Sequence, residues 1–306
     1  MNILFAGSPI SSAKVLDSLS NKAGLRIKAV ITQPDKRGKR GNKLVESQVA
    51  EKAKLLNIPV FKPTNLNDKH FKAELSSLDI EFLIVVAYGK LIPDWLIELP
   101  KITSINVHFS ILPKYRGASP IQSALLNADA ESGITIIKIN DELDSGDVYS
   151  SFVQIVDEDD DKISLENKLT ELCNANLFNV LKKINSNKLK ALPQDHSSAT
   201  YCNKVLKQDS EITFNDKSAD IINKFKAYIE WPGLTFKYKN TLIKIHGLQI
   251  TDEDSSSKAG TINKITRSGI YINTLDKLIV ITNLQFPNKK IIKSEDVFNS
   301  YKQFFS

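Results

Sequence analysis

A run of apolar residues at Phe82–Ala87 constrains the fold more than any other feature of the sequence. A strand with one face in water alternates apolar and polar residues, whereas this run, FLIVVA, contains no polar position. Continuous apolar strands are typical of parallel sheets, in which helices cover both faces. We therefore interpret Phe82–Ala87 as a central strand of a sheet that is buried on both sides.

Short β-branched runs alternate with helical patterns on both sides of that strand. The predicted strands are Asn2–Ala6, Lys28–Thr32, Ile58–Phe61, Ile102–Val107 and Gly133–Ile139, and the predicted helices are Ser11–Ser20, Glu46–Leu56, Lys69–Ser77, Pro120–Asn127 and Ser164–Ile184. Alternation of this kind produces right-handed crossovers between parallel strands. The sequence therefore predicts an α/β fold with a doubly wound, Rossmann-like, mostly parallel sheet.

The C-terminal part of the chain has a different pattern. A predicted helix at Ser218–Tyr228 is followed by predicted strands at Leu234–Tyr238, Leu242–Ile250, Gly260–Ile265, Ile270–Asn273 and Leu278–Ile281. Closely spaced strands without intervening helices indicate a small antiparallel β-barrel of the OB-like type. Because 306 residues exceed the usual size of one hydrophobic core, we expect two domains. We place them at 1–188 and 204–306, with a linker at 189–203.

Composition and charge narrow the class of protein. Lys and Arg total 41 against 35 Asp and Glu, so the net charge is +6, which suits a polyanionic partner without proving one. Two cysteines, Cys173 and Cys202, suit a reducing compartment. The N-terminus lacks the features of a secretory signal, and no apolar run reaches the ~18 residues that span a bilayer. We expect a monomeric cytoplasmic protein with no membrane partner.

Three polar residues are expected to converge at one edge of the sheet. Asn106 and His108 are two positions apart near the carboxyl end of a predicted strand, so their side chains leave the same face. Open α/β sheets bind ligands at that end of their strands. Asp144 lies in the loop after the next predicted strand, which would bring it toward the other two. A single histidine is usually a satisfied structural residue, but the three together favour a functional site.

The three residue types fit the transfer of a formyl group to an amine. No Ser or Cys nucleophile accompanies them, so the acceptor substrate would bring its own nucleophile. The amine would attack the formyl carbonyl, and Asn106 and a protonated His108 would donate hydrogen bonds to the oxyanion. Asp144 would accept the proton of the amine, directly or through water, and would hold His108 in its charged form.

Longer motifs around these residues resemble the folate-dependent formyltransferase superfamily. They are Asn106–His108 (NVH), Ser110–Gly117 (SILPKYRG) and Leu143–Asp147 (LDSGD). The resemblance implies that Asn106, His108 and Asp144 are catalytic and that the formyl donor is 10-formyltetrahydrofolate, with no metal. It also implies a folate pocket lined by Ser110, Ile111, Leu112, Pro113, Val86, Tyr88, Gly89, Leu91 and Ile92. Phe109 departs from the pattern, because a small residue usually follows the histidine.

The rest of the chain resembles those members of the superfamily whose formyl acceptor is initiator methionyl-tRNA. The matching segments are Phe5–Pro9, Thr32–Leu44, Ala118–Gln122, Asp129–Thr135 and Trp231–Pro232. The resemblance implies an enzyme that formylates the methionine amino group for translation initiation. The alternative is a related formyltransferase, or a formyl-folate hydrolase, that uses a different acceptor.

A basic loop at 36–43 is the candidate contact to tRNA. Its cations are Lys36, Arg37, Lys39, Arg40 and Lys43. A flexible cationic loop near the strand ends can hold the phosphates of an acceptor stem, although most charged runs are only solvated surface. The resemblance implies that Arg40 contacts tRNA, and it is weakened at Arg37, where a proline is common. Lysines spread over the predicted barrel would add phosphate contacts.

Three other classes of protein fit the sequence less well. The first turn, Phe5–Ile10, lacks the G-x-G-x-x-G pattern of dinucleotide-dependent oxidoreductases. The spacing of metal ligands is absent from the four histidines, His70, His108, His196 and His246. A non-catalytic RNA-binding module would explain the positive charge but not the three converging polar residues.

Overall fold

The computed structural model describes residues 1–38 and 44–305. It contains two compact units, each made of several chain segments. The first consists of Met1–Pro120, Glu131–Val156 and Glu166–Asn203, and the second consists of Ile121–Ala130, Asp157–Leu165 and Lys204–Ser306. The segment 189–203 therefore lies in the first unit. Among the described residues, no helix combines the length and the apolar composition needed to cross a membrane.

The N-terminal two thirds of the chain form strands and helices in close alternation. The strands are β1 (Asn2–Gly7), β2 (Arg26–Ile31), β3 (Lys36–Arg37), β4 (Leu44–Val45), β5 (Val60–Phe61), β6 (Phe82–Val86), β7 (Thr103–His108), β8 (Arg116–Gly117), β9 (Glu131–Lys138), β10 (Val148–Ile155) and β11 (Tyr201–Cys202). The helices are α1 (Ile10–Ser20), α2 (Gln48–Leu55), α3 (Lys69–Ser76), α4 (Asp94–Ile97), α5 (Pro120–Leu126) and α6 (Lys162–Asn185).

The main sheet of the first unit has seven strands in the order β10-β9-β7-β6-β1-β2-β5. The five strands from β7 to β5 pair in parallel, whereas β9 and β10 are antiparallel. The interpretation of 82–87 as a central strand is confirmed, since β6 lies between β1 and β7 and every one of its residues is buried. The predicted α/β fold with a mostly parallel sheet is likewise confirmed.

Strand β10 was not expected from the sequence. Its residues, VYSSFVQI, are half-buried or exposed in alternation along the edge of the sheet. An edge strand with a solvated face carries too little apolar signal to be separated from a loop. Its presence makes the end of the sheet antiparallel, and this affects how the loop before β10 reaches the site.

The second unit contains an antiparallel-rich sheet. Its elements are β12 (Glu211–Ile212), α7 (Ser218–Ala227), β13 (Leu234–Tyr238), β14 (Thr241–Asp254), β15 (Ile262–Thr266), β16 (Gly269–Asn273), β17 (Lys277–Gln285), β18 (Ile292–Lys293) and α8 (Ser294–Ser300). The strand order is β12-β13-β14-β17-β16-β15, and β18 pairs with β17. Only the β12–β13 pairing is parallel among the described ladders of this sheet. This arrangement agrees with the predicted antiparallel C-terminal domain.

The core on one face of the first sheet packs around Tyr88, whose side chain is 1% exposed. It lies in a cluster with Leu4, Ile31, Val85 and Leu96. Its hydroxyl oxygen is buried, and no described residue forms a hydrogen bond with it. A buried hydroxyl without a partner loses its hydration and gains nothing in return. This site therefore has a measurable cost for stability.

The substitution Tyr88→Phe tests that cost. Burial raises the pKa of Tyr88 from 10.0 to about 12. The unfolded chain therefore ionises first as the pH rises, and the wild type loses stability between about pH 10 and 12. The variant should be more stable by about 1 kcal/mol at neutral pH, and its advantage should grow through that window. Urea unfolding at a series of pH values measures the difference, and an advantage that does not change with pH would contradict the account.

Candidate active site

Three side chains converge where β7 ends. The amide Nδ2 of Asn106 donates to Asp144 Oδ1 at 3.0 Å. Asp144 Oδ2 lies 3.4 Å from Nδ1 of His108, and both of these side chains are less than a tenth exposed. Asn106 is only half-buried. The three predicted catalytic residues are thus brought into one cluster, and one of them, Asn106, is partly exposed.

The loop that carries Asp144 reaches the cluster by a route that the sequence did not suggest. Strand β9 is antiparallel to β7, so its carboxyl end at Lys138 pairs with Ile105 rather than with His108. The loop then folds back along the strand ends, and the amide of Lys138 donates to the carbonyl of Asp147 at 2.8 Å. Because the loop folds back, Asp144 lies beside the end of β7, and its backbone φ is 52°. Such left-handed backbone is uncommon for a residue other than glycine.

The carboxylate of Asp144 is a shared acceptor. Besides Asn106 and His108, it accepts a hydrogen bond at Oδ2 from the backbone amide of Gly117, at 2.9 Å. Gly117 has a φ of 123°, and a Cβ at this position would lie 2.2 Å from the carbonyl oxygen of Cys202. Only glycine fits there, because a side chain would both strain the backbone and collide with β11. The loop after β7 is therefore tied to Asp144 by a main-chain contact.

Both nitrogens of the His108 ring face acceptors. Nε2 lies 2.8 Å from the carbonyl oxygen of Tyr115, and Nδ1 faces Asp144. Since a carbonyl can only accept, Nε2 carries a hydrogen, and a hydrogen on Nδ1 as well would satisfy the carboxylate. For His108 to donate to a substrate oxygen, as the sequence hypothesis requires, one of these contacts must be exchanged. The second hydrogen on Nδ2 of the half-buried Asn106 has no acceptor among the described residues, so it can donate to a substrate without such an exchange.

Sequence reasoning missed the residues behind this cluster. Gln194 donates from Nε2 to the carbonyls of Asp144 and Gly146, at 2.9 and 2.7 Å. The side chain of Arg116 donates to Gln194 Oε1 and contacts Nδ1 of His196 at 3.1 Å. Gln194 lies in the predicted linker at 189–203, and polar composition alone gives no signal for a buried amide.

The two segments predicted to bind folate follow neighbouring parallel strands. Val85 of β6 pairs with Asn106 of β7, so 86–92 and 109–113 leave the sheet at the same edge. The second segment is held by Thr135, whose Oγ1 donates to the Ser110 carbonyl at 2.7 Å and accepts from the amide of Leu112 at 3.0 Å. This placement agrees with a shared ligand edge. The assignment of folate contacts itself stays a prediction.

Side-chain exposure divides the predicted folate residues into two groups. The first group has buried side chains, which pack into the core beneath the two segments; it consists of Val86, Tyr88, Ser110 and Leu112. Gly89 and Leu91 are exposed, with Leu91 at 78%, and Ile92, Ile111 and Pro113 are half-buried. The second group and the backbone of the first are what a ligand can reach. The bulky ring of Phe109 is 8% exposed and lies in the core.

The predicted tRNA-binding residues are only partly described. Lys36 and Arg37 form β3, which pairs with β4, and both side chains are exposed. Lys39, Arg40 and Lys43 lie outside the described residues.

Among the described residues, no group of three or more His, Cys, Asp or Glu side chains is arranged to hold a metal ion.

Comparisons with known proteins identify the family of the chain. A family model described as formyl transferase matches residues 1–181, and one described as formyl transferase, C-terminal domain, matches 204–302. The chain is 38% identical to methionyl-tRNA formyltransferase of Sulfurihydrogenibium sp. (strain YO3AOP1), over 99% of this chain and 97% of the relative. It is 36% identical to methionyl-tRNA formyltransferase of Legionella pneumophila subsp. pneumophila (strain Philadelphia 1), over 99% of this chain and 96% of the relative.

A solved structure shares the fold. The crystal structure of an N-formyltransferase from Helicobacter canadensis, in complex with folinic acid and dTDP-3-aminofucose, has a TM-score of 0.68. It is 20% identical and covers 93% of this chain and 99% of its own. The fold and the matched domains together define a formyl transferase, a one-carbon transfer enzyme. Through its near full-length relatives, the chain belongs to the methionyl-tRNA formyltransferase family.

Gly146 offers a test of how tightly the Asp144 loop is packed. A Cβ at Gly146 would lie 1.8 Å from the carbonyl oxygen of Lys138, so Gly146→Ala must displace the loop. We expect a loss of about 1–3 kcal/mol in the free energy of unfolding and a loss of activity of at least about tenfold. Thermal unfolding and turnover measure the two effects.

Gly24→Ala is the matched control. Gly24 has a φ of 76°, and among the described residues nothing lies within 4 Å of its added Cβ, so the substitution adds the same methyl group without a collision. It should cost about 1 kcal/mol for the left-handed backbone and keep full turnover. Equal activity losses in the two variants would contradict a specific role of the loop.

Proposed function

We propose that the protein transfers the formyl group of 10-formyltetrahydrofolate to the amino group of the methionine on initiator methionyl-tRNA. The product would be formylmethionyl-tRNA for translation initiation. The observation that carries the proposal is the contact of Asn106, His108 and Asp144 within one half-open cluster. The names of the two relatives supply the acceptor, and the folinic acid complex of the Helicobacter enzyme supports a folate as donor.

The reaction needs no covalent intermediate on the protein. The methionine nitrogen attacks the formyl carbon, the C–N10 bond breaks, and a proton moves from the attacking nitrogen to N10. Asp144 accepts the proton from the amine, directly or through water. The second hydrogen of Asn106 Nδ2 donates to the oxyanion of the tetrahedral intermediate. The proton and charge thus balance within the cluster and the two substrates.

His108 enters the reaction through an exchange of hydrogen-bond partners. Its Nε2 lies 2.8 Å from the carbonyl oxygen of Tyr115, and the substrate oxyanion competes for the hydrogen on Nε2. An anionic acceptor forms a stronger hydrogen bond than a carbonyl does, which favours the exchange as negative charge develops. Asp144 Oδ2 faces Nδ1 of the same ring at 3.4 Å, and this contact holds the ring in place while Nε2 changes its partner.

The donor would bind along the edge formed by 86–92 and 109–113. The exposed and half-buried members, Gly89, Leu91, Ile92, Ile111 and Pro113, offer apolar surface and backbone groups to a pterin ring. The acceptor stem would be held by the basic loop, with Lys36 and Arg37 exposed on β3 and Lys39, Arg40 and Lys43 next in sequence. Phosphate contacts of this kind position a nucleic acid without reading its bases.

A formyl-transfer assay tests the function directly. The protein is given 10-formyltetrahydrofolate with methionyl-initiator tRNA or methionyl-elongator tRNA, with free methionine and water as controls. We expect formylation that is confined to the initiator species. Folate turnover that ignores tRNA would keep the catalytic assignment but refute the acceptor.

Replacement of the three clustered residues tests their roles. Asn106→Ala, His108→Ala and Asp144→Ala should each lower turnover at least ~100-fold, because each removes a group that acts on the transition state. The fold should persist, which thermal unfolding checks. A folded variant with wild-type turnover would remove that residue from the mechanism.

Salt dependence tests the basic loop. Replacing Arg37, Lys39 and Arg40 together by Gln should raise the KM for tRNA, and KM should then depend less steeply on salt concentration. Each lost phosphate contact reduces the slope of log affinity against log salt by about one. The matched control replaces Lys28, Lys69 and Lys72 by Gln, which removes the same charge elsewhere. Equal slopes for the wild type and the loop variant would show that the loop does not touch phosphates.

A further inference from the structure

The side chain of Gln194 uses all of its hydrogen-bonding groups. This residue lies in the segment between the two matched family domains, which end at 181 and begin at 204. Gln194 is 7% exposed. Its Nε2 donates to the carbonyls of Asp144 and Gly146, at 2.9 and 2.7 Å. Its Oε1 accepts from Nε and Nη2 of Arg116, at 3.1 and 2.7 Å. An amide has two donor hydrogens and two acceptor lone pairs, so the capacity of Gln194 is filled.

The orientation of this amide is fixed by the chemistry of its neighbours. A guanidinium group can only donate, so the oxygen of Gln194 must face Arg116. The two hydrogens must then face the carbonyl oxygens of Asp144 and Gly146, which can only accept. A flip of the amide would break all four contacts. Arg116 therefore determines which end of Gln194 points toward the Asp144 loop.

Arg116 is bound firmly to this amide because it has few alternatives. It is 3% exposed, and among the described residues it forms no ion pair with a carboxylate. Its third side-chain contact is Nδ1 of the exposed His196, at 3.1 Å. A buried cation without a counter-ion must satisfy its hydrogens with neutral acceptors. Loss of the Gln194 oxygen would leave the guanidinium largely unsatisfied.

The Asp144 loop has an uncommon backbone conformation. Asp144 has a φ of 52°, which aspartate adopts more readily than most residues but still at a cost that contacts from other segments offset. The two carbonyls held by Gln194 lie on either side of Ser145. The contact to the Asp144 carbonyl fixes the peptide plane that follows Asp144, and the contact to the Gly146 carbonyl holds the loop two residues further on. Together they restrict the direction in which the Asp144 carboxylate leaves the backbone.

We propose that Gln194, oriented by Arg116, is a positioning residue that aims the Asp144 carboxylate at Asn106 and His108. The proposal rests on the proposed function, because its effect on rate is measured through formyl transfer. It assigns part of the active site to a segment that the sequence presents as a polar connection between two domains.

The substitution Gln194→Glu keeps the hydrogen bonds to Arg116 and removes those to the Asp144 loop. A carboxylate still accepts from Arg116, so the buried cation keeps its partner, but it cannot donate to the carbonyls of Asp144 and Gly146. Gln194→Met keeps the length of the side chain and removes the hydrogen bonds to both Arg116 and the Asp144 loop. The matched control is Gln154→Glu, since Gln154 lies partly exposed on β10 and, within the part of the chain that the structure describes, its side chain donates only to the adjacent carbonyl of Ile155.

The test compares kcat and KM in two backgrounds. In the wild type, Gln194→Glu should lower kcat about 10-fold to 100-fold, the usual effect of a small displacement of a catalytic group, with each KM changed less than about threefold. In an Asp144→Asn background the same substitution should lower kcat less than about twofold, because its effect passes through Asp144. Gln154→Glu should have no effect in either background.

Several outcomes would overturn the proposal. Equal fold-losses in both backgrounds would mean that Gln194 acts independently of Asp144, and an unchanged kcat in the wild-type background would mean that it has no role. Failure of both Gln194 variants to fold would assign it a purely structural role.

An inactive wild type would instead refute the proposed function. The amide proton of Gly117, which donates to Asp144 Oδ2, then tests the positioning without turnover. Its NMR signal must move in Gln194→Glu and stay in place in Gln154→Glu. A signal unmoved in Gln194→Glu would overturn the inference.

Discussion

The carboxylate of Asp144 is the interaction on which the rest of the site depends. It joins the Asp144 loop to β7 and β8, by accepting from Asn106 and the amide of Gly117 and by facing His108. Charge-assisted hydrogen bonds of this kind are roughly twice as strong as neutral ones, and they are stronger still where water is excluded. The position of this one group therefore sets the distances between the others.

The sheet supplies the geometry that makes this possible. Parallel β6 and β7 leave the sheet at one edge, so the two segments predicted for folate and the Asn106–His108 pair share that edge. Antiparallel β9 and β10 then close the sheet on that side and return the Asp144 loop across it. Fold and site are linked, because a parallel strand at β9 would have required a different loop to reach the cluster.

The sequence was sufficient to predict the buried elements and the cluster, since both leave strong local signals. A continuous apolar strand such as β6 and the spacing of Asn106 and His108 are visible in a single sequence. The edge strand β10 and the positive φ of Asp144 are not, because they are set by contacts with distant parts of the chain. Gln194 was missed for the same reason, since burial of a polar residue depends on tertiary partners such as Arg116.

The most direct measurement of the central claim is the amide NMR spectrum of the wild type and Asp144→Ala. The account predicts that the backbone amide proton of Gly117 and one side-chain amide proton of Asn106 lie downfield in the wild type, because both donate to the same carboxylate. Both signals should move upfield together in the variant. If either signal keeps its position, that group does not donate to Asp144, and the carboxylate does not organise the site.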